Sequence, residues 1–101
     1  MTDTFLALAN PVRRELLALL RDGPMSAGEL ADKFALSRSS VAEHLQVLRQ
    51  NGLVRSEKSG RQSNYHLVPE PLAEVDDWLH PFEKYWRARL HTLASITEEE
   101  L

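Results

Sequence analysis

Cysteine is absent from the 101 residues. No disulfide, thiolate nucleophile, cysteine zinc knuckle or iron–sulfur cluster can therefore form, and any metal would have to be held by His, Asp and Glu. Long hydrophobic runs are absent too: residues 5–9 and 16–20 are the longest, at five each, far short of the roughly 20 that cross a bilayer. No cationic stretch followed by a long apolar one opens the chain. The sequence therefore reads as cytoplasmic and mature from Met1, with no membrane partner. A glycine-rich phosphate loop, a nucleophile elbow and paired inward carboxylates are missing as well, so neither an enzyme nor a cofactor is expected.

A positive balance is also lacking, since the formal net charge is −3. Its distribution matters more than its sum. Residues 1–36 carry four Lys/Arg against five Asp/Glu, residues 37–64 carry five against two, and residues 65–101 carry three against eight. A cationic middle segment lies between a nearly balanced start and an acidic end. A polyanionic partner stays open if that segment forms one face, and dimerisation would double its surplus.

What is present is the composition of one soluble globular domain over residues 1–101, with 43% hydrophobic and 27% charged residues. Residues 4–9 read as a short apolar helix. Asn10 and Pro11 suit the cap and first position of a second helix, expected over residues 11–22, with Val12, Leu16, Leu19 and Leu20 on one stripe. Gly23-Pro24 stops it. Ser26-Ala27-Gly28-Glu29 has the form of a reciprocal cap, starting a two-turn helix over residues 27–34. After a tight connection Ser37 caps a helix over residues 38–50 with Val41, Leu45 and Leu48 inward, and Asn51-Gly52 ends it.

Residues 53–58 and 62–68 then read as strands about a Ser59-Gly60-Arg61 turn, a hairpin with a basic tip. The longest periodic segment follows: Leu72, Val75, Leu79, Phe82, Trp86, Leu90 and Leu93, at helical spacing. It predicts a C-terminal helix over residues 71–96. Pro81 removes the bond to the Asp77 carbonyl, so a kink near His80 is expected.

A short helix, a tight turn and a polar-fronted helix make a helix-turn-helix, whose second helix enters the major groove of duplex DNA. Its candidate contacts are Ser37, Arg38, Ser39, Ser40 and Glu43, with His44 flanking. Arg38 can reach guanine or a phosphate, and His44 can equally pack inward. Lys58 and Arg61, with Arg55, have the chemistry of a wing that lies on the phosphate backbone. Arg13 and Arg14 can meet phosphate, and Arg14 can equally pair with a carboxylate. Phe5 and Leu8 join the C-terminal stripe in offering more apolar surface than one small core covers, which points to a homodimer. The fold class expected is mainly α with a small β-hairpin wing, in the order α-α-α-α-β-β-α, dimerising through the first and last helices.

These motifs carry a resemblance. Residues 8–17 (LANPVRRELL), 26–31 (SAGELA), 36–48 (LSRSSVAEHLQVL) and 52–54 (GLV) occur in order and resemble ArsR-type winged-helix bacterial transcriptional regulators over about residues 5–68. The resemblance implies a homodimer that binds a palindromic operator in double-stranded DNA and usually represses. Members often have Ser-His-His-Leu where this chain has Ala42-Glu43-His44-Leu45. A carboxylate at 43 repels phosphate and more naturally accepts from a cytosine amino group. Metal sensors of the family use cysteines on the short helix or carboxylate and His ligands on the last one. Here His80 and His91 stand too far from the hairpin, and Trp78 and Ala94 occupy the remaining ligand positions. The chain thus groups with the metal-independent autorepressors. Two other readings stay open: a winged-helix module that binds protein, and a regulator gated by an unknown small-molecule effector near Trp78 and Trp86.

Overall fold

The computed structural model describes the backbone of residues 2–100 and the side chains of residues 2–94. Helices α1 (Thr4–Leu8) and α2 (Pro11–Leu20) are followed by a short strand β1 (Met25–Ser26), then α3 (Ala27–Ala31) and α4 (Arg38–Gln50). Strands β2 (Val54–Ser59) and β3 (Gln62–Leu67) form a hairpin. The C-terminal segment comprises α5 (Leu72–Leu79), a 3₁₀ turn (His80–Phe82) and α6 (Glu83–Glu100). The fold is mostly helical with a small antiparallel sheet.

Local chemistry sets the helix ends. Asn10 Oδ1 accepts from the N–H groups of Val12 and Arg13 at 2.8 and 3.2 Å, with Pro11 in the first turn of α2. Ser26 and Glu29 complete a reciprocal cap on α3, each side chain bonded to the other's backbone N–H at 3.1 Å. At the end of α4, Gly52 takes φ +75°. Its N–H donates to the Arg49 carbonyl at 3.1 Å and that of Leu53 to the Leu48 carbonyl at 2.9 Å. This paired closure uses the left-handed conformation that glycine adopts without penalty.

The core lies between α2, α3, α4 and the base of the hairpin. Leu16, Leu30, Val41, Leu45, Leu48 and Leu53 are fully buried, and Leu17, Leu20 and Val54 nearly so. Val41, Leu45 and Leu48 lie on one face of α4, which fixes that helix's rotation.

Several expectations are corrected. Helix α2 ends at Leu20 and α3 at Ala31, two and three residues early. After α3 the chain tightens, Lys33 and Phe34 donating to carbonyls three residues back. A strand not expected from the sequence, β1, pairs with β3 through Met25 opposite Tyr65 and Ser26 opposite Asn64, giving a sheet of order β1-β3-β2. Leu53, expected at the start of the wing, is instead part of the helix closure and the core. At Pro81 the α-helical ladder gives way to the 3₁₀ turn, while Leu79, His80 and Glu83 all stay right-handed helical. The segment is thus divided without reversing direction, because proline removes one hydrogen bond but keeps a helical φ.

Leu45→Ala is expected to lower the free energy of unfolding by about 2–5 kcal/mol. Gln46→Ala, one residue on and exposed, should change it by no more than about 0.5 kcal/mol. Urea denaturation followed by circular dichroism measures both, and equal losses would contradict the rotation assigned to α4.

Candidate nucleic-acid interface

With Val41, Leu45 and Leu48 inward, the opposite line of α4 is Ser39, Glu43, Gln46 and Gln50, all exposed. These positions recur every three or four residues, as one face of a helix requires. Ser39 and Glu43 are among the contacts expected from the sequence, and Gln46 and Gln50 are not. Their phase opposite the three buried residues is the signal that identifies them. Ala42 is exposed beside the line, where its small side chain permits close approach.

Ser37 has a structural task. Its Oγ accepts from the Ser40 N–H at 3.1 Å and lies 3.1 Å from the hydroxyls of both Ser39 and Ser40. The serine cluster thus orders the first turn of α4. Arg38, the first residue of the helix, reaches back across the connecting turn to Gly28 on α3, and a Cβ there would lie 3.3 Å from its Cζ. It borders a cleft of about 320 Å³ lined also by Glu29, Asp32, Gln62 and Ser63. Among the described residues Arg38 has no ion-pair or hydrogen-bond partner, and its side chain is exposed.

His44 sits on the other flank of α4, half-buried, with Nδ1 3.4 Å from Arg13 Nη1. The Arg13 guanidinium also donates to the carbonyls of Ala7 at 2.7 Å and Leu6 at 3.0 Å. Arg14 donates to the Leu8 carbonyl at 2.7 Å. Both arginines therefore brace the C-terminal carbonyls of α1, of which that of Leu6 also accepts from the Ala9 N–H at 3.2 Å. Among the described residues no carboxylate pairs with Arg14, the alternative the sequence left open, because the carbonyls at the end of α1 are the nearer demand.

On the hairpin, Ser59 pairs with Gln62 across the two-residue loop Gly60-Arg61. Gly60 has φ +63° and Arg61 does not share it, the pattern of a type II′ turn that matches the twist of the strands. Lys58 and Arg61 are exposed at this tip, and among the described residues neither has an ion-pair partner. Arg55 differs, since it lies 3.4 Å from Glu57, which also approaches His66 Nε2 at 3.3 Å.

The expected subunit contacts divide into two groups. Leu8 and Leu72 pack against the protomer's own core and Val75 and Leu79 are half-buried, so much of their apolar surface is already used. Phe5, Phe82, Trp86, Leu90 and Leu93 are exposed. The sequence analysis omitted Trp78 from this surface, yet its ring lies 5.9 Å edge-on from Phe5 and 5.1 Å from Phe82, while it remains 57% exposed. A shallow cleft of about 300 Å³ runs beside it, lined by Phe82, Tyr85, Trp86 and Arg89. Nearby, Glu83 is 3.7 Å from His80 and 3.5 Å from Arg87. Among the described residues no three His, Asp or Glu side chains come together as a metal site, and no helix is long and apolar enough to cross a membrane.

A recognition helix anchored by three buried residues, a capped short helix before it and a basic-tipped hairpin after it define a winged helix-turn-helix protein. A family model described as a helix-turn-helix domain matches residues 8–57. The chain is 33% identical to the transcriptional repressor SdpR of Bacillus subtilis (strain 168), over 81% of its own length and 91% of that protein's. It is 35% identical to the transcriptional activator HlyU of Vibrio cholerae serotype O1, over 73% and 68%. An ArsR-like transcriptional regulator from Rhodococcus sp. RHA1 superimposes with a TM-score of 0.72 at 34% identity, covering 94% of this chain and 87% of that one. The chain belongs to the ArsR family of helix-turn-helix, DNA-binding transcriptional regulators.

Arg13→Ala strips donors from two carbonyls and is expected to cost about 1–3 kcal/mol of stability. Arg61→Ala should stay within about 0.5 kcal/mol while weakening DNA binding. Urea midpoints of the two variants, set beside the unmodified chain, check the stabilities, and a gel shift with duplex DNA checks the binding.

Proposed function

We propose that this protein is a cytoplasmic, metal-independent repressor with no enzymatic activity. It binds a palindromic operator as a homodimer joined through α1 and the α5–α6 segment. The observation that carries the DNA-facing half is the exposed line Ser39, Glu43, Gln46 and Gln50, flanked by the unpaired cations Arg38, Lys58 and Arg61. Glutamine reads adenine through paired hydrogen bonds, and a carboxylate accepts from a cytosine amino group. Gln46 and Glu43 therefore carry sequence preference, while the wing cations hold the phosphate backbone whatever the sequence.

The dimer rests on the aromatic and leucine face. Phe5, Trp78, Phe82, Tyr85, Trp86, Leu90 and Leu93 are all at least 37% exposed, an amount of exposed apolar surface of the kind that subunit interfaces cover. The radius of gyration of 17.6 Å exceeds the about 13 Å of a compact chain of this length. Helix α6 therefore extends away from the core, where a second copy can pack on it, while α5 stays packed against α1. Repression is supported by the likeness to SdpR, and operator occupancy by a dimer is the simplest means to it.

Selection from random duplex DNA is expected to return a two-fold symmetric site. With roughly six phosphates neutralised per dimer, affinity should fall on the order of 10³-fold between about 50 and 200 mM salt. A salt-independent affinity would count against DNA as the partner. Leu90→Asp should convert the dimer to a monomer in sedimentation equilibrium and weaken binding to the selected site. An unmodified chain that sediments as a monomer at micromolar concentration would overturn the dimer.

A further inference from the structure

Arg38 and Gly28 meet where α4 begins opposite the first turn of α3. A Cβ added at Gly28 would lie 3.3 Å from Cζ, 3.3 Å from Nη2 and 3.7 Å from Nε of Arg38. Carbon contacts ordinarily settle at about 3.5–4.0 Å. A side chain at position 28 would thus press on one guanidinium, which would have to move by a few tenths of an ångström or more to admit it. No backbone demand explains glycine here, because its φ is outside the left-handed range. Within a helix, glycine costs roughly 0.5–1 kcal/mol relative to alanine. The guanidinium supplies the reason that the rest of α3 does not.

The rotation of α4 says what Arg38 is placed to do. At about 100° per residue it stands roughly a quarter-turn from the line of Ser39, Glu43, Gln46 and Gln50, on the flank toward α3. A helix with its side chains is about 10–12 Å across and the major groove about 12 Å wide. A helix in that groove fills it, so its central line meets base edges and its flanks meet the phosphate walls. Arg38 lies on a flank, exposed and unpaired even though Glu29 and Asp32 border the same cleft.

We propose that Gly28 is a positioning residue of the DNA-binding surface. The space left by its missing side chain seats the Arg38 guanidinium on the flank of α4, where it contacts a backbone phosphate instead of a base. This rests on the DNA-binding reading above and adds to it which residue directs Arg38 and to what chemical group.

The test uses the full chain, fluorescent mixed-sequence duplex DNA and a salt series, with Gly28→Ala, Gly28→Leu, Arg38→Ala and the Gly28→Leu/Arg38→Ala double variant. Arg38→Ala should lower the slope of log affinity against log salt by about 0.9 per bound protomer, on the order of a tenfold loss at about 0.1 M. Gly28→Leu, which fills the seat, should reproduce most of that loss, Gly28→Ala a smaller part, and the double variant should bind no worse than Arg38→Ala. Both glycine variants should keep or raise the thermal midpoint, since each favours helix.

Gly28→Leu binding as tightly as the unmodified chain overturns the proposal. So does an equal loss from Gly28→Leu with and without Arg38, which would place the effect in α3 itself. Arg38→Ala altering preference at one base pair of a selected site with the salt slope unchanged overturns the phosphate assignment. If Gly28→Leu does not fold, Gly28→Ala decides by the same criteria. An unmodified chain that fails to bind duplex at any salt defeats the DNA-binding reading and this one together. Normal binding with indifferent glycine variants defeats this one alone.

Discussion

Burial of Val41, Leu45 and Leu48 on one face of α4 is the constraint on which the functional surface depends. All three are fully buried, and removing a side chain of this size from water contributes about 1.5–3 kcal/mol. A turn of the helix about its axis that exposed them would cost more than any polar contact on the opposite face could return. Ser37 at one end and the Gly52 closure at the other also fix where the helix starts and stops. The direction of Ser39, Glu43, Gln46 and Gln50 is therefore a by-product of core packing. Among the described residues Glu43, Gln46 and Gln50 make no side-chain bond that holds the fold, whereas the Ser39 hydroxyl also belongs to the serine cluster at the start of the helix.

Helix α1 connects the two halves of the molecule although it is only five residues long. Its C-terminal carbonyls are held by Arg13 and Arg14 from α2. At its N-terminus, the Asp3 N–H donates to Asn51 Oδ1 at 2.8 Å, and Asn51 in turn donates to the Val47 carbonyl at 2.9 Å. Phe5 projects from the same helix onto Trp78 of α5. A helix too short to persist alone is thus tied to the end of the recognition helix on one side and to the C-terminal aromatic face on the other. In the proposed dimer, movement of the subunits against each other has a short path to α4 through these contacts.

Much of this was legible in the sequence because it is locally encoded. Asn10-Pro11, the Ser26-Glu29 pair, Ser37 and Gly52 each specify a helix end by chemistry that spans only a few residues. The apolar phase of Val41, Leu45 and Leu48 gave the buried face of α4 directly. What escaped depends on partners distant along the chain. Strand β1 is two residues long and exists only because β3 lies beside it. Arg13 looked like a phosphate ligand because nothing in its neighbourhood shows that the α1 carbonyls fold back upon it. Trp78 fell off a stripe counted on one unbroken helix, and the 3₁₀ turn at Pro81 lies between it and Trp86. Whether Arg38 points at a groove or across to α3 is likewise a matter of which surface stands opposite, and that surface, Gly28, has no side chain to announce it.

The acidic total and a polyanionic partner are compatible for a reason of distance. Exposed charges in physiological salt are screened beyond about 8 Å, whereas the molecule extends 57 Å along its longest axis. The potential that a phosphate meets is set by the residues within a Debye length of it, and the carboxylates of α5 and α6 scarcely enter. Near the wing, Glu57 is already engaged by Arg55 and His66, so it subtracts little from Lys58 and Arg61. Glu43 is the exception, a carboxylate with no ion-pair partner among the described residues, in the middle of the surface proposed to meet DNA. In a groove it would be repelled by the walls unless it accepts a hydrogen bond from a donor on a base edge, so its contribution would be to exclude sites more than to tighten binding. Charge on this chain therefore acts by position in the proposed complex: the flanking cations would supply affinity, the central acid would withhold it from wrong sequences, and the acidic surplus of α5 and α6 is screened from both.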